Sequence, residues 1–138
     1  MQPRSSAWSL ATIYGALIVF ASLFPFEGWR AQGVDPRVFL TARIPPPYWT
    51  WFDVNTNIAG YVPLGFLLAL GMLRDGRRAR WAVPLVALLG ALLSLGMEFL
   101  QIYLPRRVPS NLDLSLNAAG ALVGALLALW PVALLFPT

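Results

Sequence analysis

Four apolar stretches divide the chain, separated by segments rich in proline, arginine and aromatic residues. They run from about Ala7 to Phe24, Val54 to Leu73, Trp81 to Leu104 and Leu114 to Leu135. A helix needs about 20 apolar residues to cross roughly 30 Å of hydrocarbon. The pattern therefore predicts an all-α, integral membrane four-helix bundle, a single domain over residues 1–138. The first stretch reads as a span rather than a signal peptide, because no A-x-A-like site follows it and further spans do.

The connections differ. Between the first two spans, Pro45-Pro46-Pro47 precedes Tyr48, Trp49, Trp51 and Phe52. Three prolines cannot be helical and predict an extended piece, and the aromatic cluster suits the headgroup belt. Trp8, Trp81 and Trp130 read as further interface anchors. The second and third spans are joined by a tight turn carrying Arg74, Arg77, Arg78 and Arg80. By the positive-inside rule that turn is cytoplasmic, which predicts a multi-pass protein of the bacterial cytoplasmic (inner) membrane with both termini on the cytoplasmic side. Arginine number alone ties the two sides; the density of the 74–80 turn decides.

Polar positions inside the spans are few, and their spacing is regular. Asp53, Asn57 and Tyr61 fall at i, i+4 and i+8 on one helical face; Glu98 and Gln101 at i and i+3; Asp113 and Asn117 at i and i+4. Asp53-Val-Asn-Thr-Asn57-Ile-Ala-Gly60 and Asp113-Leu-Ser-Leu-Asn117-Ala-Ala-Gly120 share a D-x-x-x-N-x-A-G pattern. Both copies open a span entering from the same side, which predicts two helical hairpins related by a parallel repeat. Spans alternate in direction, so Glu98 lies roughly 9 Å inside the end of its span, on the membrane face where the other two groups begin. All three groups meet at the outer face.

Each position has a structural reading as well. Asp53 and Asp113 suit helix N-termini, and Ser110-Asn-Leu-Asp113 fits a capping box. Asn57 and Asn117 could join helices by hydrogen bonds, Gly120 and Gly124 form a small-xxx-small packing face, and Arg106 and Arg107 could be interfacial anchors. Glu98 resists such a reading best, since an acid within an apolar run must be paired, protonated or set in a wet cavity. Arg106 or Arg107 and the two asparagines are its candidate partners. A helix alone would hold Glu98 and Arg107 roughly 12–14 Å apart. The expected direct or water-bridged contact among Glu98, Arg107 and the Asn117 amide therefore needs an extended arginine or a chain that turns back at Pro105.

Composition narrows the chemistry. The chain is 58% hydrophobic and 12% charged, with a mean hydropathy of +0.65; a soluble domain is about 25% charged. There is no Cys and no His, which removes disulfides, thiolates and the commonest general base and metal ligand. The net charge of +4 comes from arginines at the ends of apolar runs, so it argues for a membrane rather than nucleic acid. No cofactor and no metal site is expected.

The residues also resemble a known family. Asn57-Ile-Ala-Gly-Tyr-Val-Pro63-Leu-Gly65-Phe resembles the first motif of the VanZ-like membrane proteins. Glu98, Gln101, Pro105, Arg107, Ser110, Asp113, Asn117, Gly120 and Gly124 resemble its second motif. The resemblance covers roughly residues 53–124, with the first span fitting only by hydrophobicity. It implies a bacterial membrane protein of a family named for teicoplanin resistance, and it supplies no reaction.

Three functions stay open. The leading one is a pocket binding an anionic or polar cell-envelope amphiphile: a lipid headgroup, a lipid-linked precursor or a glycopeptide-type antibiotic. It would use Asp53, Asn57, Tyr61, Glu98, Gln101, Arg106, Arg107, Asp113 and Asn117, with Arg107 and Arg106 offering forked donors to phosphate or carboxylate. The second is an intramembrane enzyme with Glu98 as acid/base beside Asp113 or Asp53, against which stands the absence of any recognised catalytic signature. The third is a non-catalytic assembly factor. Polar residues do not continue into the inner half of the spans, which argues against transport by a monomer; a homo-oligomer would change that.

Overall fold

The computed structural model describes residues 5–131. Its helices are α1 (Ser6–Leu23), α2 (Pro36–Leu40), α3 (Trp51–Arg74), α4 (Ala79–Gln101) and α5 (Asn111–Leu127). There is no strand among the described residues. Four helices are long and apolar enough to cross a membrane: α1, α3, α4 and the segment Asn111–Pro131, which carries α5. The expected end of the fourth span, residues 132–135, lies outside the described residues, as do both termini.

Helix ends depart from the apolar runs for local reasons. α3 starts ahead of Val54 because Thr50 caps it: the Thr50 hydroxyl accepts from the Asp53 N–H, and the Asp53 carboxylate accepts from the Thr50 N–H. α4 stops at Gln101 rather than Leu104. Leu104 precedes Pro105, a position that disfavours helix. The N–H groups of Ile102, Tyr103 and Leu104 instead reach carbonyls three residues back, at 3.2, 3.1 and 3.0 Å, tightening the last turn. α5 starts at Asn111 behind its cap Ser110. The 74–80 turn closes through Gly76 at φ 82°, with Arg77 N–H on the Met72 carbonyl and Gly76 N–H on that of Leu73. That pairing is a Schellman motif, which needs the left-handed residue glycine supplies.

The short α2 was not read from the sequence, though its signal was present. Asp35 caps it and Pro36 opens it. Arg37 pairs with Asp35 at 2.7 Å, and its hydrogen bonds hold the Asp35 carboxyl below the usual carboxylate range.

Small residues fill the tightest helix contacts, and many large apolar ones face outward. Leu10, Ile13 and Leu17 on α1, Leu85, Leu88 and Leu92 on α4, and Leu122, Val123 and Leu126 on α5 are all exposed, as lipid-facing side chains should be. Ala69, Ala82, Ala121, Ala125 and Ala128 are buried. The most extensive helix pairing joins α3 to α5. A Cβ on Gly65 would strike the Ala121 carbonyl, one on Gly120 the Ile58 carbonyl, and one on Gly124 the Val62 carbonyl. Here backbone meets backbone, the close approach that membrane helices gain from small residues. The expected Gly120/Gly124 packing face is present, and Gly65 completes it. On α4, Gly90 meets the Ala121 side chain.

At the basic end, Trp8 packs its ring where a Gly71 side chain would stand and donates its indole N–H to Asp75 at 2.9 Å. Trp81 and Trp130 are exposed.

Candidate functional site

The two D-x-x-x-N-x-A-G copies open α3 and α5, while α4 runs antiparallel between its neighbours. Helix alternation alone therefore gathers the polar positions at one end. A cavity of about 390 Å³ lies there. Its lining includes Asp53, Asn57 and Tyr61 from α3, Glu98 and Gln101 from α4, and Asp113 and Asn117 from α5. Arg106 and Arg107, from the turn after α4, complete the nine expected positions. α1 contributes Ile18, Ala21 and Ser22, a wall the sequence did not suggest.

The partners within this cavity differ from those expected. Glu98, 3% exposed, accepts the backbone N–H of Ser110 at 2.7 Å. No direct hydrogen bond or ion pair joins Glu98 to Arg107 or Asn117 among the described residues. Arg107 turns instead to the end of α1, where Nε donates to the Phe24 carbonyl at 2.9 Å and Nη2 to the Ala21 carbonyl at 2.8 Å. Gln101 joins it, donating to the Ser22 carbonyl at 2.9 Å. The last carbonyls of a helix have no partner in their own ladder and carry partial negative charge. A guanidinium and an amide are suited to them, and together they tie α1 to the turn after α4. The forked donor foreseen for a phosphate or carboxylate is thus engaged inside the protein. Arg106 makes no hydrogen bond or ion pair among the described residues.

The asparagines divide. Asn57 donates to the Asp53 carbonyl of its own helix at 2.8 Å. Asn117 is 5% exposed and donates across to the Ser94 hydroxyl at 2.9 Å. Ser94 lies four residues before Glu98 on the same face of α4, so spacing could have found it. The Asn117 Oδ1 and the Tyr61 hydroxyl are buried and lack a hydrogen-bond partner among the described residues.

Other tethers surround the site. The Tyr14 hydroxyl donates to the Gly60 carbonyl at 2.6 Å. The long first connection is strapped down by Gln32 on the Ile102 carbonyl at 2.7 Å and by Asn111 on the Ala42 carbonyl at 2.7 Å. None of these three was foreseen. No group of three His, Cys, Asp or Glu residues with metal-holding geometry occurs among the described residues.

A family model described as VanZ/LLP1 matches residues 2–135. No curated protein and no solved structure matches the chain.

Proposed function

The chain belongs to the VanZ/LLP1 family, and from that premise we propose that it is a membrane-embedded binding protein for a cell-envelope amphiphile. The cavity receives the polar headgroup of a lipid, a lipid-linked precursor or a glycopeptide-type antibiotic, and a role in antibiotic resistance would follow from holding either of the last two. One observation carries this reading: Asn117 Oδ1 and the Tyr61 hydroxyl are buried without a partner and their residues line the cavity. Away from water, an unmatched polar group costs about 1–3 kcal/mol. At Asn117 this is a standing cost that a bound headgroup would offset. The volume also falls within the roughly 300–1,000 Å³ of ligand pockets.

The cytoplasmic membrane, with both termini inside and the cavity at the outer face, is part of the same proposal. Reporter fusions near residues 40, 77 and 109 test it, and a cytoplasmic signal at 40 or 109 reverses it.

The binding reading is tested by native mass spectrometry of the full chain purified from bacterial membranes. Wild type should retain an envelope-derived amphiphile that Asn117→Leu and Tyr61→Phe lose at normal expression. Equal retention by all three proteins overturns it.

A further inference from the structure

Two amides of the cavity are turned the same way. Asn57 and Gln101 each direct their NH₂ group to a backbone carbonyl. A carbonyl only accepts, so these orientations are set by chemistry and each side-chain oxygen is left over. Asn117 places its NH₂ on the Ser94 hydroxyl, a group that can also donate, and in that arrangement its Oδ1 is buried and unpartnered. Among the described residues, the Asp113 carboxylate makes no hydrogen bond, and Glu98 uses only one of its oxygens. Arg107 is engaged by the α1 carbonyls; the other donors in the lining are Arg106 and the hydroxyls of Ser22, Thr56 and Tyr61, and a hydroxyl accepts as well.

Resting on the binding reading above, the geometry points to a headgroup rich in hydrogen-bond donors, bearing sugar hydroxyls or an ammonium. Such a group meets the leftover oxygens of Asn57, Gln101 and Asn117 as well as the carboxylates. A phosphate or carboxylate brings acceptors to an acceptor-lined wall.

The test uses the full chain in phosphatidylcholine nanodiscs and three probes sharing one dodecyl chain: dodecyl glucoside, dodecylamine and dodecyl phosphate. Retention is read by native mass spectrometry. At least one donor-bearing probe should be retained about tenfold above the phosphate, and Asn117→Leu should remove that excess. Asp113→Asn should cut retention of the amine more than that of the glucoside. Phosphate retained as well as or better than both others overturns this inference while leaving the binding reading in place. Retention unchanged in Asn117→Leu identifies simple partition into the bilayer and overturns the inference. Retention of no probe overturns the binding reading and the inference with it.

Discussion

At the start of α3, Thr50 and Asp53 close their capping box unaided, with Asp53 Oδ2 taking both the Thr50 N–H at 3.1 Å and its hydroxyl at 2.6 Å. At the start of α5 the same positions hold Ser110 and Asp113, yet the Ser110 N–H goes to Glu98. An acid from the neighbouring helix has taken the place of the local one, and Asp113 faces the cavity free of any capping duty. The last positions diverge as well. Gly60 has open space where a side chain would be, whereas Gly120 lies against the Ile58 carbonyl. The lesson is that one motif serves two ends: the first copy mainly builds a helix terminus, and the second joins three helices around a cavity.

The largest expected effect tests the glycines. Gly120→Ala should destabilise the protein by about 1–3 kcal/mol through overpacking. Gly60→Ala should be neutral or stabilising by up to about 1 kcal/mol, since alanine favours the helix. Thermal unfolding in one detergent measures both, and equal losses would erase the distinction between the copies.

Next comes the exchange of acids. Glu98→Ala leaves the Ser110 N–H unmatched, at a cost of about 1–3 kcal/mol, unless Asp113 swings back to close the box as Asp53 does. If it swings back, Asp113→Ala should cost about 1 kcal/mol more in the Glu98→Ala background than in wild type, measured by a double-mutant cycle. A coupling of zero means that Asp113 cannot take over.

The smallest effect concerns the hydroxyl caps. Thr50→Ala should cost about 1 kcal/mol. Ser110→Ala should cost only a few tenths of that, because the Ser110 hydroxyl accepts from Asp113 N–H at a long 3.4 Å while the neighbouring N–H is held by Glu98. Matching losses in chemical unfolding would show the two caps to be equivalent.

Much of this was legible in the residues. The four spans follow from the length of the apolar runs, and the meeting of Asp53, Glu98 and Asp113 at one end follows from helix alternation. The glycine face of α5 follows from its spacing. The partners did not follow. Arg107 and Gln101 bind the carbonyls of Ala21, Ser22 and Phe24, and a backbone carbonyl leaves no mark in the amino-acid order. The contact also spans 79–86 residues and depends on the turn at Pro105. Glu98 looked set for a side-chain partner, an arginine or an asparagine, because side chains are what a sequence displays, yet its partner is a main-chain N–H.

The bond from Glu98 to Ser110 also sets an order of events during synthesis. The acceptor is made twelve residues before its donor, an interval on the order of one second at roughly 5–20 residues per second. Throughout that interval the third span carries an acid with nothing to meet it. It cannot settle in the bilayer by itself at low cost and must wait for the segment that follows. The third and fourth spans are thus expected to enter the membrane as a pair, and a released chain ending at residue 105 should integrate less completely than one carrying the fourth span, a difference that Glu98→Gln should narrow.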